Sequence, residues 1–264
     1  MYSPFQLTKK YLKYYFTASN GKGHGVHSPF VFSFIKNVLN DKTQYNCYHK
    51  IEQLRKNLLK NNSIIDVEDF GAGSAIIKTK KRIVKNIAAS SLKPRKYSQL
   101  LFRIVQFYKK QNILELGTSF GTTTAYLASA NNSFVTTMEG SESIAEIAKA
   151  NFSLLQMQNI EIVKGDFNNT LPIYLATRKK INMVFLDGNH QKIPTLRYFN
   201  QILLNAHEET FFVFDDIHWS KEMEEAWEII KQHEQVTLTI DLFFIGIAFL
   251  GKSFKEKQHF VIRF

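Results

Sequence analysis

Cysteine is nearly missing from this 264-residue chain. The one present, Cys47, excludes an internal disulfide framework and any multi-cysteine zinc or iron–sulfur centre. Long apolar runs are missing too. The longest, 236–250, falls short of the about 20 residues that span a bilayer and carries Asp241 in its middle. The opening MYSPFQLTKKYLKYYF lacks the apolar core and small-residue cleavage site of a secretory signal. A cytoplasmic, soluble protein with no membrane partner is the expectation. Acidic residues are scarce at the start: residues 1–110 hold 5 Asp and Glu against 21 Lys and Arg, and the remainder 18 against 13, within a net charge of +11. Such asymmetry is known from nucleic-acid and anionic-membrane surfaces, whereas lysines scattered along the segment fit solvated helix faces better. With 44% hydrophobic and 14% aromatic residues, the chain has enough apolar mass for a buried core.

Two regions differ in pattern. In the first 110 residues, apolar side chains recur at three- and four-residue spacing over 5–17, 30–39, 48–59, 76–89 and 99–108, predicting helices. From Asn112 onward, short apolar runs at 113–116, 134–138, 160–163, 183–186 and 211–214 alternate with helical segments at 122–130, 143–156, 194–205 and 222–232. That rhythm predicts an α/β fold with a doubly wound parallel sheet. The runs 236–240, 245–250 and 260–264 have no helix between them and are expected to pair antiparallel at one edge. A basic helical extension over 1–95, serving as lid, dimerisation or substrate region, and a ligand-binding domain over 96–264 follow as the expected division.

Ligands of an open α/β sheet bind at the carboxyl ends of its strands. The first strand runs into Glu115-Leu116-Gly117-Thr118-Ser119-Phe120-Gly121-Thr122-Thr123, whose glycines permit a tight turn before a helix start with free N–H groups. Gly117 and Gly121 are four apart, so this is not the Gly-x-Gly-x-x-Gly of nicotinamide enzymes. The second strand ends in Glu139-Gly140, at the distance from Gly117 where an acidic residue accepts from ribose hydroxyls. The later ends are Asp166-Phe167, Asp187-Gly188-Asn189-His190 and Asp215-Asp216-Ile217-His218-Trp219. One such carboxylate is readily a helix cap, but acidic residues closing all five strands need another reason.

This ordered set resembles the class I S-adenosylmethionine-dependent methyltransferases, and among them the catechol O-methyltransferase-like group, over roughly residues 90–250. The resemblance implies a seven-stranded Rossmann-like sheet with antiparallel edge strands. It implies that Glu115, Gly117, Ser119, Gly121 and Thr123 hold the methionine part of S-adenosyl-L-methionine, that Glu139 and Gly140 lie at its ribose, and that Asp166 and Phe167 lie at its adenine, with Asp187 also near the cofactor. Lys96-Tyr97-Ser98-Gln99-Leu100 resembles the segment closing over the cofactor, with Ser98 in place of the usual glycine. By the same resemblance Asp187, Asp215 and Asp216 would bind a divalent metal, Mg²⁺ first, with Asp216 where the group has asparagine. His190 replaces the group's catalytic lysine, an Asp-x-x-His arrangement similar to metal-dependent sugar O-methyltransferases of this fold. A neutral imidazole suits a general base at pH 7.

The implied function is methyl transfer to a hydroxyl of a small molecule; the oligomeric state stays open, a homodimer being one option because helical extensions in this group often help form dimers. An RNA-directed methyltransferase using the basic first region is the first alternative, and a nicotinamide-binding or non-catalytic Rossmann-like protein the second. Phe70-Gly71-Ala72-Gly73-Ser74 reads as a structural turn, because no kinase-type motifs accompany it. His24 and His27, in the loop 19–29, read as part of a lid or substrate loop rather than a metal site. His218 and Trp219 fit either the border of a substrate pocket or packing against the following helix.

Overall fold

The computed structural model describes all residues except 70–77, 178, 252, 253 and 255. The chain opens with α1 (Pro4–Thr17), α2 (Pro29–Phe34), a π-helical turn at Ile35–Leu39, and α3 (Asn46–Leu58). A hairpin of β1 (Ile64–Asp69) and β2 (Lys78–Ile83) leads to α4 (Val84–Ser91) and α5 (Arg95–Tyr108). Then come β3 (Asn112–Leu116), α6 (Thr122–Ser129), β4 (Phe134–Glu139), α7 (Glu142–Leu154), β5 (Ile160–Lys164), α8 (Phe167–Ala176) and β6 (Met183–Leu186). The last elements are α9 (Lys192–Leu203), β7 (Phe211–Asp215), α10 (Lys221–Gln232), β8 (Val236–Asp241), β9 (Ile245–Leu250) and β10 (Gln258–Val261). The alternation of strand and helix after Asn112 is the α/β pattern expected.

Two compact units divide the chain: Met1–Asp41 with Arg178–Phe264, and Lys42–Thr177. The residues 1–95, expected as one extension, are thus shared between them.

In the unit Lys42–Thr177, β3, β4 and β5 run parallel in that order, Leu116 opposite Met138 and Glu139 opposite Lys164. Of the segment 76–89, expected to be wholly helical, 76 and 77 lie outside the described residues, 78–83 form β2, antiparallel to β1, and the helix starts at Val84. Two features favour the hairpin. Asp66 stands opposite Lys81, an attractive cross-strand pair, and Val67 is buried in a cluster with Leu54, Leu58, Val84, Ile87, Phe120 and Ile144. Helix α8 escaped the periodicity reading because Pro172 lies inside it; Asp166 caps it, accepting from the Asn168 N–H at 2.8 Å.

In the other unit the strand order is β10-β8-β9-β7-β6. Strands β6 and β7 are parallel and fully buried, the near-continuous apolar pattern of a sheet covered on both faces. As expected, β9 is antiparallel to both β7 and β8. The expectation fails for β10, which lies parallel to β8. The reason is geometric: both edges of β9 are occupied, so the returning chain can add only to the outer edge of β8. That edge is closed in turn by the α1–α2 loop, where the Ser19 N–H donates to Val261 O and the Arg263 N–H to Ser19 O.

Candidate active site

The strand ends of Lys42–Thr177 build a polar cradle. The Gly117 and Thr118 N–H groups both donate to Met138 O, which bends the chain sharply after β3. Gly117, Ser119 and Gly121 all have positive φ (106°, 48° and 78°), so the turn rests on conformations that glycine tolerates and serine does not favour. At Gly121 a Cβ would sit 2.4 Å from the Phe152 ring, which leaves room for glycine alone. Thr122 and Thr123 open α6, both buried.

Glu139 ties this loop down: Oε2 accepts from the Ser119 N–H at 2.8 Å and Oε1 from the Ser141 N–H at 3.0 Å. Burial pushes its carboxyl up, against those backbone donors. Glu115, fully buried, accepts at Oε2 from the hydroxyls of Thr124 (2.5 Å) and Thr137 (2.7 Å), while Oε1 has no donor. Burial raises it to about 7, the two hydroxyls opposing. Gly140 follows Glu139, and Asp166 with Phe167 starts α8. A buried carboxyl oxygen lacking a donor and an acidic strand end beside a glycine turn are acceptors of the kind that a cationic nucleoside derivative calls for. The residues therefore fit S-adenosylmethionine. Ser98, in the segment expected to close over the cofactor, is buried in α5 and accepts from Arg55 Nη2 at 3.3 Å. A contact without any sequence signal is Ser91 Oγ with Ser119 Oγ, 2.8 Å apart.

The strand ends of the other unit gather Asp187, His190 and Asp215. One ligand atom from each lies within 4.8 Å of the other two, and His190 Nε2 stands 3.6 Å from Asp187 Oδ1. Asp215 is buried and the other two half-buried. Two carboxylates this close form a donor set that fits a divalent cation such as Mg²⁺, with the imidazole standing beside them as a base. Asp216, expected among the ligands, is outside this trio; its backbone is left-handed (φ 53°) and its carbonyl accepts from the Trp219 N–H. Asn189, also left-handed, donates from Nδ2 to Tyr198 Oη at 2.8 Å and so fixes the turn that presents His190.

His218 belongs to packing. Its Nδ1 faces Glu224 Oε1 at 3.0 Å and its Nε2 faces Asp241 Oδ2 at 2.8 Å, while the ring stacks on Phe243. Burial disfavours its charge, but the two carboxylates outweigh burial and raise it above the ordinary range. Glu224 also accepts from Tyr2 Oη and Lys10 Nζ, joining α1 to α10. His24 and His27 are exposed and outside the trio. The turn 70–74 lies outside the described residues.

Parallel strands, a glycine turn opening α6, an acidic residue closing the next strand and reversed edge strands define the class I S-adenosylmethionine-dependent methyltransferase fold. Residues 114–217 match a family described as a methyltransferase domain. Among solved structures the chain is similar to an O-methyltransferase from Bacillus cereus in complex with S-adenosylhomocysteine (19% identity, 83% of this chain and 97% of that one, TM-score 0.52). It is also similar to the O-methyltransferase TomG from Streptomyces achromogenes, involved in tomaymycin synthesis and solved with S-adenosylmethionine (17% identity, 79% and 91%, TM-score 0.56). A curated relative, an uncharacterized RNA methyltransferase of Protochlamydia amoebophila, is 33% identical over 98 residues, 37% of this chain and 22% of that protein. The match thus spans about a fifth of the relative's length.

Proposed function

We propose that the chain is an S-adenosylmethionine-dependent O-methyltransferase that acts on a hydroxyl of a small molecule with help from a divalent metal. The observation carrying this reading is the convergence of Asp187, His190 and Asp215 at the ends of β6 and β7. Acceptor chemistry needs it, whereas binding a methyl donor alone does not. The O-methyltransferases from Bacillus cereus and Streptomyces achromogenes, alike in fold, support the oxygen acceptor. When bound, S-adenosylmethionine supplies a methyl group already activated on sulfonium, and a divalent cation lowers the pKa of a coordinated hydroxyl.

The chain's own residues do the rest. Gly117, Ser119 and Gly121 shape the donor's bed, Glu139 accepts from ribose hydroxyls, and Glu115 offers its free oxygen to the donor's positive end. Asp187 and Asp215 hold the cation by carboxylate oxygens. His190, a third exposed at its side chain, takes the acceptor proton, a role worth typically 10²–10⁴-fold. The test is methyl transfer to a panel of catechols and other hydroxyl compounds, with and without EDTA, in wild type, Asp215→Ala and His190→Ala. Loss in every arm is expected. Full activity after chelation removes the metal from the mechanism, and full activity in His190→Ala removes the base.

The partial match to an RNA methyltransferase favours a second reading, in which the lysine-rich first region meets phosphates. Submicromolar binding to a defined tRNA at physiological salt, with methyl incorporation into it, would establish that reading in place of the first.

A further inference from the structure

Helix α1 has two apolar faces, and among the described residues only one is covered. On that side Leu7, Tyr11 and Tyr14 pack with Phe243 and Phe244, the Tyr11 and Phe243 rings edge to face at 5.1 Å. Tyr14 Oη donates to Ile262 O, and Lys10 pairs with Glu224. The helix is therefore held firmly from behind. Its other side bears Phe5, Leu12 and Phe16, which at 100° per residue fall within an arc of about 40°. They are 80%, 49% and 75% exposed, and Tyr15 widens the stripe. Lys9 and Lys13 run along one side of it, both exposed, and no Asp or Glu occurs before Asp41.

A fixed helix showing solvent a row of large apolar side chains beside cations is built to lie in an interface between water and hydrocarbon. We propose that α1 docks the chain onto an anionic lipid surface, with Phe5, Leu12 and Phe16 in the headgroup–acyl boundary and Lys9 and Lys13 among the phosphates. Charge complementarity selects this occupant. A two-fold contact with a second copy, centred on the stripe, would crowd Lys9 and Lys13 of both copies together with no carboxylate from the first 40 residues between them. RNA asks for a row of cations along its phosphates, and here the centre of the face is apolar. Such docking is peripheral: among the described residues no helix is long and apolar enough to cross a membrane.

The experiment is co-sedimentation of the full chain with phosphatidylcholine vesicles, with and without phosphatidylserine, without methyl donor or acceptor, so that it stands apart from the catalytic reading. Binding should require phosphatidylserine and weaken with salt. Replacing Lys9 and Lys13 by Gln should cost about fivefold per lysine, and Phe5→Ser with Phe16→Ser at least about tenfold. If the serine variant melts lower than wild type, Lys9→Glu with Lys13→Glu, which leaves the stripe intact, decides by its own loss of binding. Equal binding to phosphatidylcholine alone, or unchanged binding in these variants, overturns the proposal. So does a dimer in sedimentation, or retention of RNA instead of vesicles, that the same substitutions abolish.

Discussion

The carboxyl of Glu115 is enclosed between Thr124 and Thr137 with Oε1 meeting no donor, and burial raises it from an ordinary 4.5 to about 7. Between those values the folded chain keeps a proton that the unfolded chain releases, so stability falls as pH rises through that window, by about 3 kcal/mol at most. Urea denaturation at pH 5.5 and 8 should show this loss in wild type and a flatter profile in Glu115→Gln. In the proposed function Glu139 would bear on the donor: Glu139→Ala should then weaken S-adenosylhomocysteine binding by about tenfold or more in calorimetry, since charge-assisted hydrogen bonds are worth about 1.5–3 kcal/mol each. At Gly121, alanine adds a Cβ against the Phe152 ring at a positive φ. Gly121→Ala should cost about 1–3 kcal/mol and be visible as a lowered melting temperature. That Glu139 reaches the glycine turn was legible from its place at a strand end. That Glu115 is partly protonated near pH 7 was not, because only the packing of α6 and β4 around it removes water.

Among the elements, the parallel strands were readable because runs buried on both faces are short, continuous and apolar. The hairpin β1–β2 was not, since a strand rich in lysine has helix-compatible spacing and its meaning comes from the partner strand. His218 shows the same dependence. Its place after two aspartates left a substrate border and packing equally open, and Asp241 and Glu224 reach it from β8 and α10. Asp241 accepts from His218 Nε2, Trp227 Nε1 and the Phe243 N–H. Asp241→Ala would strand all three donors in a buried place, and a loss of about 3 kcal/mol in chemical denaturation is expected.

At the scale of the whole chain, the charge contrast between residues 1–110 and the remainder sets its behaviour toward polyanions. Weak, sequence-independent RNA binding is expected, falling by about 0.7 log units per log unit of salt for each phosphate neutralised. A filter-binding titration across salt checks this, and a flat profile would contradict it. The amino-acid sequence by itself determined the alternation of strands and helices, the glycine turn and the acidic strand ends, because periodicity and turn chemistry are local. Only the tertiary structure decided that His190 joins Asp187 and Asp215 while Asp216 stays outside, that β10 lies parallel to β8, and that α1 leaves one apolar face bare. Those outcomes depend on which edges and faces remain free once distant segments have packed, and no local pattern carries that information.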